Sequence, residues 1–367
     1  MTTIDRQQAF SGTKEAAPAL RIDTERLESY LAAQVKGFAG PLTIKQFKGG
    51  QSNPTYLLKT PARAYVLRRK PPGKLLPSAH AVDREFRVVR ALSPQRFPVA
   101  EPMLYCDDES VAGTAFYVMS FVAGRVFWEP QMPGSSAAER AAVYEAMNET
   151  IARLHTFEPA KIGLVDFGKG ENYVARQVDR WSKQYRASET EAIDAMERLI
   201  EWLPGHIPPA GAPRLVHGDY RLDNLIIAPH APKVAAVLDW ELSTLGDPVA
   251  DFAYHCMTWR LSSEGGRALG GLDLRSLGIP TESEYTARYF ERASVGGPPS
   301  ADIWSFYMVF SMFRLVGILQ GVAARALQGN ASSAHATAAG QRIRPLAEQA
   351  WMLARGLGTR STSVDSV

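Results

Sequence analysis

The stretch Leu215-Val216-His217-Gly218-Asp219-Tyr220-Arg221-Leu222-Asp223-Asn224-Leu225-Ile226-Ile227, followed by Val237-Leu238-Asp239-Trp240-Glu241, sets carboxylates and an amide between apolar runs. Those residue types, in that order, suit the transfer of a phosphoryl group from ATP. The reaction needs a carboxylate that orients the acceptor hydroxyl and takes its proton, and oxygen ligands that hold Mg²⁺ against the phosphates. Asp219 is the candidate for the first task, and Asn224 and Asp239 are the candidates for the second. A polar turn around Asp219 and a strand-end cap at Asp239 are the plain structural alternatives. The two halves together, in this order and spacing, favour the chemical reading.

Such side chains need a rigid frame. Leu215-Val216 reads as a strand entering the loop and Leu225-Ile226-Ile227 as one leaving it; Pro229 to Pro232 turns the chain, and Val234 to Leu238 returns with Asp239 at its end. The expectation is a hairpin-like frame presenting both metal-ligand candidates.

The pattern His-x-Asp-x-x-x-x-Asn with a later strand-end Asp resembles the catalytic set of protein kinases. Gly218 stands where those enzymes have Arg, and Trp240-Glu241 replaces Phe-Gly. These variants are similar to the aminoglycoside phosphotransferase and choline kinase branch of the kinase-like fold. The run from Leu238 to Tyr254 further resembles the phosphotransferase domain that some larger proteins carry joined to an acyl-CoA dehydrogenase. The resemblance extends over Asp23 to Arg344, with its distinctive motifs between Leu215 and Tyr254. It implies an α+β, two-lobed, protein-kinase-like fold: a β-rich, nucleotide-binding N-lobe over 23–122 and a larger, mostly helical C-lobe over 123–355. A flexible arm (1–22) and a disordered tail (356–367) are expected outside it.

The same frame implies further roles. Gly49-Gly50-Gln51-Ser52-Asn53 falls at the hairpin over the nucleotide phosphates, where Gly49 and Gly50 admit a close backbone and Ser52 or Asn53 donates hydrogen bonds. An ordinary hairpin turn is the alternative. Arg68 stands where the phosphate-binding Lys is expected, with Arg69 and Lys70 as competitors until the strand register is known. Glu85, on a helix expected over 79–92, is the partner for Arg68, or else part of a solvated face with Arg84 and Arg87. The apolar strand over 115–122 leads into the hinge between lobes, where backbone groups near Met119 and Phe121 are expected to read the adenine edge.

Capping signals set other elements. Asp23 caps a helix over 24–35, Ser136-Ala137-Ala138-Glu139 matches a capping box, and Ser188-Glu189-Thr190-Glu191 repeats that signature. Asp247-Pro248 starts another helix that brings Asp251 near the catalytic stretch to brace its backbone, and His155 reads as a core histidine.

Composition excludes some partners. A net charge of +3, with 22% charged residues of mixed sign, gives no strong field for nucleic acid or an anionic membrane. A monomer or homodimer is expected. Two cysteines in no metal-like spacing fit a reducing, cytoplasmic setting, and the polar N-terminus lacks the apolar core of a signal peptide. The apolar segment from Ile303 to Leu319, interrupted by Arg314, reads as a buried helix.

The resulting expectation is an ATP- and Mg²⁺-dependent kinase acting on a small-molecule hydroxyl. Between Trp259 and Arg344 there are nine arginines and six acids. That excess disfavours a polycationic acceptor and suits a hydroxyacyl-CoA or a hydroxy acid, unless the arginines are simply surface residues. Arg314 needs a partner within its apolar helix, either a carboxylate such as Asp251 or an anionic substrate. A kinase-shaped binding module without turnover and an aminoglycoside- or choline-type phosphotransferase are the competing readings.

Overall fold

The computed structural model describes residues 6–49, 53–73, 80–264, 267–327 and 333–361. Helix α1 (Arg6–Phe10) and strand β1 (Thr13–Lys14) precede α2 (Thr24–Gln34), and then β2 (Thr43–Phe47), β3 (Thr55–Lys59) and β4 (Ala64–Arg69) form a meander. Helix α3 (Val82–Leu92), β5 (Pro102–Cys106), α4 (Glu109–Ala112) and β6 (Phe116–Ser120) complete the first lobe. Its antiparallel sheet has the order β1-β2-β3-β4-β6-β5.

The period-two pattern of these strands gives each face of the sheet its own core. Tyr56, Leu58, Tyr65, Leu67, Phe116 and Val118 pack with Leu27 and Leu31 of α2. On the other face Val66, Tyr117 and Met119 cluster with Val82 of α3. Asp23 caps α2 by accepting the Arg26 N–H, as its position before the helix predicts.

The arm expected to be loose is docked from Arg6 onward. Thr13 and Lys14 pair with Phe47 and Gln46 of β2, and Phe10 lies 5.1 Å from the Trp128 ring.

The chain leaves the sheet at Ser120, and Arg125 then pairs in both directions with Ile227. Gly124 permits that approach, because a Cβ there would lie 2.5 Å from the Ile227 carbonyl oxygen. Helices α5 (Ala137–Thr156), α6 (Tyr173–Ser188) and α7 (Asp194–Trp202) follow. Ser136 caps α5 through the Glu139 N–H, while the Glu139 carboxylate turns instead to Arg125. The capping signature at Ser188 does not start a helix: Ser188 ends α6, its hydroxyl bonded to the Gln184 carbonyl, and α7 begins at Asp194. Local back-bonding of the serine prevails there.

Strands β7 (Arg214–Val216), β8 (Leu225–Ile227), β9 (Val234–Val237) and β10 (Thr244–Gly246) form two small sheets. β8 pairs with β9, as the hairpin reading expects, but β7 pairs with β10 rather than with β8. Helices α8 (Pro248–Cys256), α9 (Leu274–Leu277), α10 (Glu282–Arg292), α11 (Ala301–Leu327) and α12 (Ser333–Ser361) enclose them. α12 carries the segment expected to be disordered from 356 in helical form as far as Ser361. α11 is long and apolar enough to cross a membrane, but 83% of its most apolar window is buried within the protein, as for a core helix.

Phe252 of α8 anchors this second lobe, stacked 3.6 Å from Tyr289 and 5.9 Å from Tyr285. Phe252→Ala is expected to lower stability by about 3–5 kcal/mol, to be measured by urea denaturation.

Candidate active site

The loop between β7 and β8 is held from three sides. From α8, Asp251 accepts the N–H groups of His217 and Gly218, each at 2.8 Å. His155 Nε2 lies 3.2 Å from the same carboxylate, and His155 Nδ1 lies 2.6 Å from the Tyr289 hydroxyl. An ionised carboxylate only accepts, so Nε2 carries the hydrogen and Nδ1 accepts from Tyr289. Burial would raise the Asp251 carboxyl, but the His155 hydrogen bond, the electrostatic attraction of the His155 and His217 rings and the His217 N–H together hold it below the usual carboxylate range.

His217 ties the loop to the strand that carries Asp239. Its Nδ1 accepts the Asp219 N–H at 3.2 Å, which places the hydrogen on Nε2, 2.8 Å from the Leu238 carbonyl. The Leu238 N–H in turn donates to the Asn224 carbonyl. Gly218 has φ +85°, and a Cβ there would lie 2.7 Å from the Leu242 carbonyl oxygen, so any larger residue is disfavoured both by backbone conformation and by space.

From α11, buried Arg314 donates to the Gly218 carbonyl at 2.6 Å and lies 4.2 Å over the Tyr254 ring. Of the partners expected for Arg314, Asp251 is not the observed one: its hydrogen bond is to the loop backbone.

Asp219 and Asn224 come together within this frame, and the main-chain bond from Leu238 to Asn224 brings the strand that ends in Asp239 beside them. Asn224 Nδ2 donates to the Asp219 main-chain carbonyl at 2.9 Å and to Asp219 Oδ2 at 3.2 Å. Its Oδ1 makes no hydrogen bond among the described residues. Asp239 has φ +63°, an uncommon conformation for a residue with a side chain and one that concentrates at functional sites. Burial raises the Asp219 carboxyl above its usual range, with Arg221 opposing the shift.

Across the cleft, the register places Arg68 on the α3 face and Arg69 on the opposite one. Arg69 donates to the Ala112 and Leu20 carbonyls. Arg68 Nε lies 2.8 and 3.1 Å from the Glu85 oxygens, and its Nη2 lies 2.6 Å from Asp239 Oδ1. Glu85 is buried and also accepts from Asn53 at 2.8 Å and Tyr117 at 3.2 Å, so it does not belong to a solvated face. Oxygens of Glu85, Asp239 and Glu241 lie within 4.8 Å of one another, with the Arg68 guanidinium beside all three. Burial would lower the Arg68 pKa, but Glu85 and Asp239 raise it further than burial lowers it.

The remaining candidates have different surroundings. Gly50 and Ser52 lie outside the described residues. Gly49 sits against the arm: a Cβ there would lie 3.0 Å from the Trp128 ring and 3.3 Å from the Phe10 carbonyl oxygen. Asn53 is fully buried, with its amide engaged by Glu85 and His80, so its part in the site is to hold Glu85 rather than to donate outward. The Met119 side chain is buried in the α3-face cluster; the Phe121 N–H is taken by the Ala64 carbonyl and its side chain is 41% exposed.

Sequence reasoning passed over Arg221 and Asp223. Arg221 lies 3.2 Å from Asp219 and 3.3 Å from Asp223. The alternation Asp219, Arg221, Asp223 was the available signal. His255 was also passed over; it is buried between the Tyr220 carbonyl and the Tyr285 hydroxyl, and burial lowers its pKa to about 4.

A small antiparallel sheet over a larger helical lobe, with this loop and Arg68 facing Asp239 across the cleft, is the two-lobed kinase-like arrangement. Residues 43–285 match the sequence profile of the phosphotransferase enzyme family, and the chain belongs to that family. It is 46% identical over 351 residues to mouse acyl-CoA dehydrogenase family member 10, covering 95% of this chain and 33% of that protein. With the mouse family member 11 the identity is 42%, over 94% of this chain and 45% of the relative. The chain thus spans less than half the length of these curated relatives. A Ralstonia eutropha protein provisionally described as an aminoglycoside phosphotransferase shares 52% identity and a TM-score of 0.83, covering 92% of this chain and 99% of that one. A choline kinase from Cryptosporidium parvum shares the fold at 12% identity and a TM-score of 0.57, over 93% and 97% of the two chains.

Asp251→Ala leaves two buried N–H groups and His155 without their acceptor and is expected to cost about 3–5 kcal/mol. Because the folded pKa of Asp251 is depressed, its contribution is fully present above the unfolded carboxylate value of about 4 and is lost as pH falls through the folded value. Urea titrations of wild type and variant should therefore differ most near neutral pH and converge in acid.

Proposed function

We propose that the protein transfers the γ-phosphoryl group of ATP to the hydroxyl of a small molecule, with Asp219 orienting that hydroxyl and accepting its proton. The supporting observation is the Asp219–Asn224 pair, with the strand that ends in Asp239 tied to its loop. Loop and strand are tied by His217, and the Asn224 amide is clamped on Asp219 so that its oxygen is left for a cation.

Mg²⁺ fits this donor set, since hard cations take carboxylate and amide oxygens. Asn224 Oδ1 and Asp239 Oδ2 would hold it. When bound, it would neutralise charge on the transferring phosphoryl group. Arg68, oriented by Glu85, would bind the nucleotide phosphates, and a planar guanidinium can serve carboxylate and phosphate together. Membership of the phosphotransferase family supports the use of ATP, and a spectinomycin phosphotransferase sharing the fold at 12% identity was solved with ADP.

For the acceptor we favour a hydroxyacyl-CoA or a hydroxy acid. Similarity over nearly the whole chain to part of the acyl-CoA dehydrogenase family proteins supports an acyl substrate. Free, buried Cys106 and Cys256 accord with a reducing, cytoplasmic setting.

The reading is tested by ADP release from Mg-ATP over hydroxyacyl-CoA thioesters, hydroxy acids, choline-like alcohols and aminoglycosides. Asp219→Asn is expected to lower acceptor-dependent turnover by about 10²–10⁴ while the protein stays folded; undiminished turnover would remove Asp219 from the reaction. Asp239→Ala is expected to weaken binding of Mg-nucleotide in a calorimetric titration, and unchanged affinity would count against its metal role.

A further inference from the structure

Beside the catalytic loop lies a cavity with an empty volume of about 450 Å³, part of it open to solvent. Phe127, Trp128 and Trp259 give it apolar walls, and Arg6, Arg221 and Arg267 bring three guanidinium groups to it. Arg221 is engaged by Asp219 and Asp223. Arg6 and Arg267 form no ion pair with any described carboxylate, although Arg6 lies 5.6 Å over the Phe10 ring.

Several of the other arginines after Trp259 have structural partners. Arg260 pairs with Glu282, Arg288 and Arg292 with Glu145, and Arg344 with Glu191. Arg267 differs from these in forming no ion pair with a described carboxylate, and Asp223, which also lines the cavity, is paired with Arg221.

The position of Arg6 is set by the fold. Gln7 donates to the Val126 carbonyl at 3.0 Å, the Trp128 indole donates to Ser11 at 3.2 Å, and Lys48 donates to the Gly12 carbonyl. The arm therefore holds both the edge strand of the sheet and the segment that follows the hinge. Like charges gathered at one cavity repel, and each such pair raises the energy until an anion joins them. The pKa directions agree: burial lowers Arg6, with Asp223 opposing and Arg221 adding to the effect, while crowding by the protein and then repulsion from Arg6 and Arg221 lower Arg267. Both still carry full charge at neutral pH, because an arginine starts so far above it.

We propose that Arg6 of the N-terminal arm and Arg267 form an anion-binding subsite that takes a carboxylate or phosphate group of the acceptor, a proposal that rests on the phosphoryl-transfer reading above. The acceptor class follows from the order of surfaces along the cavity. Trp128 and Trp259 would take an apolar segment, Arg6 and Arg267 an anionic group, and Arg221 of the same wall lies 3.2 Å from Asp219, where the hydroxyl would react. The same charges reject polycations.

The test uses the full chain saturated with Mg²⁺ and a non-hydrolysable ATP analogue. Hydroxyhexanoate, its methyl ester and its CoA thioester are titrated calorimetrically into wild type, Arg6→Gln, Arg267→Gln and Arg6→Lys. At least one of the two anionic ligands is expected to bind about tenfold or more tighter than the ester, since charge-assisted hydrogen bonds are the strong ones. That preference should fall to about threefold or less in either glutamine variant and survive largely in Arg6→Lys. Preference for the free acid assigns the subsite to a carboxylate, and preference for the thioester alone assigns it to phosphate. Equal binding of all three ligands, no binding of any, or a preference untouched by both glutamine substitutions overturns the subsite. ADP release in parallel with ATP keeps the two claims apart. An anion preference without turnover removes the kinase reading, and turnover without the preference removes the subsite alone.

Discussion

One buried carboxylate sets the geometry on which the site depends. Asp251 lies beneath the loop and accepts two consecutive main-chain N–H groups, those of His217 and Gly218. At Gly218 the chain turns with a positive φ, a conformation that favours glycine. The carboxylate can stay charged in the core because His155, itself held by the Tyr289 hydroxyl, completes its hydrogen bonding, and a buried charge left incomplete would be strongly destabilising. Arg314 then holds the Gly218 carbonyl from the other side, so both polar groups of that residue are fixed by buried, charged side chains. The loop is rigid for a stated reason: its backbone has no alternative partners in an apolar surround.

The second lobe passes this order to the chemistry through His217. One ring nitrogen accepts from Asp219 and the other donates to Leu238, so a single imidazole sets the spacing between the candidate base and the strand bearing Asp239. Trp240 packs 4.8 Å from that ring, and burial of both side chains resists its rotation. The first lobe contributes through the sheet register. Alternation sends Arg68 toward Glu85 and Asp239 and Arg69 to the far face, and a one-residue slip would exchange them.

Sequence made the loop legible because its residues are contiguous and their spacing is chemical. The Asp247 cap and the bracing role of Asp251 could be read locally, and Asp219, Asn224 and Asp239 could be singled out there as candidates. Register could not, which is why Arg68, Arg69 and Lys70 stayed open until cross-strand pairing separated them. The pairing of β7 with β10 was hidden because three-residue strands carry too little pattern to choose a neighbour. The Ser188 signature failed because a serine hydroxyl serves equally well to back-bond the end of one helix and to cap the start of another. The arm was misread for a related reason. Its polar composition carries no helical or strand period, and its order comes from contacts with Trp128 and Phe47, more than thirty residues away.

The two sides of the cleft differ in how their arginines are balanced. On the nucleotide side Arg68 is already paired, and its bond to Asp239 crosses the cleft between lobes. A phosphate chain arriving alone would have to compete with that carboxylate, and a cation arriving alone would have to compete with Arg68. Arriving together they would exchange partners, Arg68 holding the anion and Asp239 the cation, with no charge left unpaired. The pair thus favours the combined ligand over either component and keeps Arg68 charged and positioned meanwhile. At the cavity beside the loop Arg6 and Arg267 form no ion pair with a described carboxylate, and the Asp223 there is paired with Arg221, so an anion would gain their attraction without first breaking an ion pair of theirs.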